Sequence, residues 1–361
     1  MLFNRHQLRS TFAVLAVFTA VGTAYDAITM RAFSVWGPII GLFVGVPLVL
    51  LQLLFPMQFM RRWPFAVSVL ARALLYVTLI LLVFLCFPLI YGLLHGLTLR
   101  DFAVEVWNTE IIVRVAVGFG AFVVVIFFQQ LNRLLGPGNL ARYMFGRYHR
   151  PRLEARIFMF LDLKGSTSIA ERLDVGTYYA YLNDVFHHVA GPVLTTKAQI
   201  YQYVGDMVVL TWPMTTGLLG GNCVRVYYEI DAVMRRHAAY YLARYGLVPE
   251  FKAGLHAGEV ISAEIGELKR DLIYSGDVLN TTARIQAECN RFDARLLMSR
   301  DLFERVTLPS GVNAENLGEV ELRGKRHAIS LVRLVHAGEA PAHTAERQPV
   351  AAAQPARSTP L

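Results

Sequence analysis

Cysteine is scarce in this chain of 361 residues, with three in all, Cys86, Cys223 and Cys289. Their scatter shows no metal-ligand spacing and gives no basis for a zinc site or a disulfide framework. Cys86 falls in an apolar run, and the other two suit a reducing cytosol without carrying chemistry. Acid is short too: Asp and Glu number 27 against 35 Lys and Arg, for a net charge of +8 and a pI near 9.5. Such a balance can mark a nucleic-acid binder. Here many basic residues stand beside apolar runs, so no nucleic-acid partner is expected. What the chain has in excess is hydrophobic residues, 55% of the total with a mean hydropathy of +0.41, gathered in the first third. The length exceeds one typical domain, and two parts are expected.

Four apolar runs, Thr11–Ile28, Val35–Leu54, Ala73–Leu93 and Ile111–Phe128, are long enough as helices to cross a bilayer. The first competes with a signal peptide, but further runs follow it, which favours a retained helix. Arginines at the N-terminus, at Arg61–Arg62 and after Phe128 contrast with the acids Asp101, Glu105 and Glu110 of the third connection. The positive-inside rule then places both termini in the cytoplasm of a multi-pass cell-membrane protein. Residues 1–131 are thus expected to form an α-helical membrane domain with four transmembrane helices. Residues 132–155, broken at Gly136–Pro137–Gly138, read either as a linker lying on anionic headgroups or as a coupling element. The Ala- and Pro-rich tail, 336–361, has no periodic apolar face and is expected to be disordered.

The second part is organised around Ile157–Thr167, IFMFLDLKGST. The apolar run reads as a buried strand ending on Asp162. It turns through Gly165 into Ser166 and Thr167, residues suited to cap a helix. Downstream, Ile200–Trp212 (IYQYVGDMVVLTW) reads as two strands around a Gly205–Asp206 hairpin turn. If the strands are neighbours, Asp206 meets Asp162, and two such carboxylates repel unless a cation lies between them. Helical runs are predicted at Thr167–Leu173, Thr177–Thr196 and Leu218–Tyr245, with Tyr178–Tyr181 and Tyr227–Tyr228 assigned to packing. The alternation fits an α+β ferredoxin-like domain over residues 156–335.

In these motifs the segment resembles the catalytic domain of class III nucleotidyl cyclases. GLHAGEV at Gly254–Val260, GDVLNTTAR at Gly276–Arg284 and LRGK at Leu322–Lys325 continue the likeness in the family's order. The resemblance implies a homodimer that turns a nucleoside triphosphate into a cyclic nucleotide and pyrophosphate with two Mg2+ or Mn2+ ions per site. It assigns Asp162, the Leu163 carbonyl and Asp206 to the metals, and the N–H groups of Gly165, Ser166 and Thr167 to the phosphates. Asn280 would orient the ribose, Arg284 would neutralise the α-phosphate, and Lys325 would hold the terminal phosphates. The positions that read the base are Gln202 and Ile273, which depart from the family's usual residues. No acid is present there to grip guanine, so ATP is expected. A guanylate cyclase and a nucleotide-binding receptor of low activity are the alternatives.

Overall fold

The structure is a computed structural model. It describes residues 150–268, 271–325 and 327–337, together with a scatter of positions between 15 and 131. The chain divides into two units, Met1–Phe145 and Gly146–Leu361.

The second unit is built on an eight-stranded sheet. β1 (Arg152–Leu163) leads through α1 (Ser166–Arg172) and α2 (Val175–Thr195) to the hairpin of β2 (Gln199–Val204) and β3 (Met207–Pro213). Next come α3 (Met214–Leu218), a short 3-10 turn, α4 (Asn222–Arg236) and α5 (Ala238–Tyr245). β4 (Phe251–Ile265) and β5 (Asp271–Ser275) then precede α6 (Asp277–Glu288), β6 (Leu296–Ser299), α7 (Arg300–Phe303), β7 (Val312–Val320) and β8 (Ile329–His336). The spatial order is β2-β3-β1-β4-β6-β8-β7, with β5 paired to β4. β4 and β6 run parallel and the other pairs antiparallel, so the sheet is mixed.

β1 is apolar at every position from Ile157 to Leu161 because both of its faces are covered. Ile157, Met159, Leu161 and Leu163 pack against Tyr181, Val185 and Val189 of α2 and Tyr227, Ile230 and Met234 of α4. Phe158 and Phe160 point the other way, toward Val209, Val260, Tyr274 and Val278. On that second face lies α6, and two glycines let it approach. A Cβ on Gly254 would sit 2.4 Å from the Gln286 backbone N, and one on Gly258 would sit 2.6 Å from Val278 Cγ2. Four residues apart on one strand, they share a face and form a seat with no side chains.

Arg156 is buried on the same face at 1% exposure, yet none of its charge is stranded. It donates to Thr211 Oγ1 (3.1 Å) and Gln199 Oε1 (2.7 Å), pairs with Glu154 (3.1 Å) and lies 4.5 Å over the Tyr274 ring. Full pairing is what makes such burial tolerable. The free cysteines Cys223 and Cys289 are buried, which pushes each thiol up to about 12.

Several expectations change. The run Leu218–Tyr245 is not one helix. Gly220 and Gly221 take positive φ (59° and 65°) before α4 begins, and His237 separates α4 from α5. β1 starts at Arg152, inside the stretch expected as linker, and β8 runs to His336. Residues 132–149 of the linker and all but the first two residues of the tail lie outside the described residues.

The membrane part of the expected fold is corrected. Among the described residues, no helix is long and apolar enough to cross a membrane. The longest described stretch in the first unit, residues 15–24, spans about 15 Å at 1.5 Å per residue, half a bilayer's hydrocarbon core. α2 has the length, 21 residues, but carries Asn183, Asp184, His187 and His188. The four expected spans lie largely outside the described residues. The expected four-helix membrane domain and multi-pass placement are therefore unsupported by any described helix. In the first unit, Gly41 and Gly45 are buried one helical turn apart, and a Cβ on Gly41 would lie 2.4 Å from the Phe18 carbonyl oxygen.

Candidate active site

Asp162 is the penultimate residue of β1. The β1–β3 register pairs Leu161 with Val208, so Asp162 comes out beside the Gly205–Asp206 turn. Gly205 takes φ +62°, the left-handed conformation that a two-residue hairpin requires and glycine supplies without strain. The two carboxyl groups meet, as their positions at strand ends predict. Burial holds the Asp162 carboxyl above the ordinary carboxylate range, and the neighbouring Asp206 charge pushes the same way. The Gln286 amide and, more weakly, the Lys252 ammonium oppose them. Gln286 Nε2 donates to Asp162 Oδ2 at 3.0 Å. Lys252 is the cross-strand partner of Asp162, but its ammonium bonds Asn290 Oδ1. Leu163, next in the strand, buries its side chain in the core.

The turn after β1 differs in detail from the expectation. Gly165, not Ser166 or Thr167, caps α1, with φ 70° and no side-chain capping bond. Ser166 and Thr167 are the first two helical residues, so their N–H groups belong to the first turn, which has no intrahelical acceptors. Tyr178, given to packing by the sequence, also belongs here. Burial raises its phenol, and the charges of Asp206 and Asp162 raise it further.

A second group gathers around α6. Asn280 is exposed and Arg284 half-buried one turn later, with Arg284 Nη2 3.5 Å from where a Cβ on Gly324 would stand. Gly324 has φ 72° and turns the chain so that Lys325 pairs with Asp277 Oδ2 at the start of α6. The Lys325 bond holds the Asp277 carboxyl below its usual range, aided by Thr281 and Arg284. The turn at Gly324 therefore brings Lys325 beside α6 near Arg284, with Asn280 one helical turn before Arg284.

Within one chain these two groups lie on different sides of α6. At about 100° per residue, Gln286 lies about 160° around the helix from Arg284 and about 120° from Asn280. Gln286 faces Asp162, so Arg284 and Asn280 face away from it.

Gln202 is exposed on β2, where a bulge shifts the register between Ile200 and Gln202. Ile273 is half-buried on β5 opposite Ala263. Their chain neighbours touch: the Tyr201 and Tyr274 rings are 5.0 Å apart, and both pack on Phe158.

Residues 150–334 match the model of the "Adenylate and Guanylate cyclase catalytic domain", half of the chain. The chain belongs to this cyclase family. The chain is 38% identical over 210 residues to Adenylate cyclase 2 of Rhizobium meliloti (strain 1021), covering 58% of each protein. It is 20% identical over 177 residues to Adenylate cyclase of Anabaena cylindrica, covering 48% of this chain and 35% of that one. The chain therefore spans well under two thirds of these relatives. A bacterial light-regulated adenylyl cyclase of known structure shares the fold, with a TM-score of 0.50 at 18% identity over 60% of this chain and 63% of that one.

Three polar residues of the candidate site had no signal of their own in the sequence. Gln286, Lys252 and Asp277 are brought to it by helix-on-sheet packing, by cross-strand register and by the turn at Gly324. Among the described residues, no group of three or more His, Cys, Asp or Glu side chains gathers. The protein thus offers a cation two carboxylates and backbone, an oxygen-only set that fits Mg2+ or Mn2+ completed by phosphate and water.

Proposed function

We propose that the chain is an adenylate cyclase, converting ATP to 3′,5′-cyclic AMP and pyrophosphate at sites shared between two copies. The observation that carries this reading is the meeting of Asp162 and Asp206, a carboxylate pair whose mutual repulsion a cation would relieve. In the reaction the ribose 3′-oxygen bonds to the α-phosphorus, the bond to the pyrophosphate oxygen breaks, and the hydroxyl proton leaves.

Asp162, Asp206 and the Leu163 carbonyl would hold two divalent cations. When bound, these supply charge to the triphosphate and acidify the attacking hydroxyl. The N–H groups of Gly165, Ser166 and Thr167 would receive phosphate oxygens at the start of α1. From the other copy, Asn280 would orient the ribose, and Arg284 would neutralise charge growing on the α-phosphate. Lys325 would leave Asp277 for the terminal phosphates. Positioning and neutralisation of this kind carry most of the catalysis in phosphoryl transfer. The opposed facing of Gln286 and Arg284 on α6 supports the two-copy site, since it turns Arg284 away from the acid pair of its own chain. Isologous pairing would give two equivalent sites. At the base-reading positions Gln202 and Ile273, the lack of an acid favours ATP over GTP.

The test is cyclic-nucleotide formation by the full chain with Mn2+ and either ATP or GTP. Cyclic AMP from the wild type, and none from Asp206→Ala of unchanged fold, is expected. Turnover by Asp206→Ala at the wild-type rate refutes the reading.

A further inference from the structure

We propose that Gln286 is the positioning residue that orients the Asp162 carboxylate for a divalent cation. This rests on the reading of Asp162 and Asp206 as cation-holding acids. The amide Nε2 of Gln286 reaches Asp162 Oδ2 at 3.0 Å across 124 residues of sequence. An ionised carboxylate only accepts hydrogen bonds, so the NH2 end of the amide is the end that faces it. That bond takes one lone pair on Oδ2 and fixes the plane of the carboxyl group. The other oxygen and its lone pairs remain for Asp206's side and for a cation.

Two features make this more than a chance contact. First, the backbone that carries Gln286 has little freedom. Its backbone N and Cα stand 2.4 and 2.7 Å from where a Cβ on Gly254 would be, so α6 is seated on β4 at this residue. Second, the donor is neutral. Lys252, the nearby cation, is turned to Asn290 Oδ1. An amide orients the acid without cancelling the charge that attracts a metal, whereas an ammonium in its place would compete with the metal. Partners that orient a metal ligand in this way typically carry about 10- to 100-fold in metal affinity.

The experiment titrates Mn2+ into the nucleotide-free full chain, counting free ion by its electron paramagnetic resonance signal. It compares wild type with Gln286→Met, Gln286→Glu and Asp206→Ala, with circular dichroism to verify folding. Gln286→Met keeps length and removes the donor, so affinity should fall about 10- to 100-fold. In turnover assays the Mn2+ concentration for half-maximal rate should rise by the same factor, with kcat at saturating Mn2+ much less affected. Should Gln286→Met not fold, Gln286→Asn keeps the amide but not the reach, and the same loss is expected. Unchanged Mn2+ affinity in Gln286→Met or Gln286→Asn, alongside its loss in Asp206→Ala, overturns the proposal alone. Tighter binding by Gln286→Glu also overturns it, because position 286 would then reach the cation directly. Unchanged affinity in Asp206→Ala overturns the two-acid reading itself.

Discussion

Gly254 of β4 lies directly beneath the backbone of Gln286, so that a single added methyl would stand 2.4 Å from its nitrogen. The obstacle is helix backbone, which cannot swing aside as a side-chain tip can. Gly254→Ala should therefore push α6 off the sheet, destabilising the domain by about 1–3 kcal/mol. It should also disturb both the acid pair and Arg284. Gly191, inside α2 with open space around its Cβ position, is the control. Gly191→Ala should change stability by less than about 1 kcal/mol, because the helix gain is offset by crowding of the new Cβ against the following Pro192. Urea denaturation of the two variants checks the contrast.

Asp162 makes a pH-dependent contribution of known direction. Its folded carboxyl holds a proton to higher pH than in the unfolded chain, because of burial and the Asp206 charge. Between the ordinary and the raised values the folded state binds more protons, so this group costs stability as pH rises. Metal-free Asp162→Asn should melt above the wild type at pH 7.5, with the gap closing as pH falls toward 4. Mn2+ should raise the wild-type melting temperature and leave that of the variant unmoved.

His256 acts in the opposite sense. It lies on β4 between the two seat glycines and bonds Ser299 Oγ at 2.8 Å. Burial pushes its ring down to about 4, while Asp301 pulls the other way. As pH falls from the usual 6.5 toward 4, the unfolded chain takes a proton that the folded ring refuses, so stability is lost. The urea midpoint should fall between pH 7 and pH 5, and His256→Gln should flatten that fall.

Two inactive variants should restore each other. Asp206→Ala damages the acid side of a site and Arg284→Ala the side supplied by the other copy. A mixed dimer keeps one intact site. Mixing equal amounts with subunit exchange should recover roughly a quarter of wild-type cyclase activity, the share expected for a two-fold symmetric dimer. No recovery despite proven exchange would mean that each chain builds its site alone.

Base choice should follow position 202. Gln202→Glu should move the ATP/GTP ratio of kcat/KM toward GTP by about tenfold or more, and Gln202→Lys toward ATP, since a paired polar group discriminates strongly. A ratio that does not move in either variant would take Gln202 out of base recognition.

The sequence made some of this legible for simple reasons. Asp162 lies at the end of a strand and Asp206 in the glycine turn of a hairpin, and antiparallel register then brings them together. Asn280 and Arg284 share a helix face because they are four apart. Gln286 was invisible because its partner depends on how α6 sits on β4, which no local spacing states. Gly165 was missed as the cap of α1 because serine and threonine stood beside it. The Gly220–Gly221 break was read through because aromatic periodicity continued on both sides. The apolar first third was read as four spans from hydropathy alone, and the described residues there hold no helix of that length and character.

The two sheltered cysteines provide a measurement at no cost in engineering. Cys223 sits in the first turn of α4, facing the core, and Cys289 at the foot of α6. With both thiols raised to about 12 by burial, neither presents an appreciable thiolate at neutral pH. Uptake of a maleimide at either position therefore times the breathing of the layer that hides it. Comparing the two clocks, with and without nucleotide, would show whether the helix bearing Arg284 loosens on its own or only when the whole domain opens.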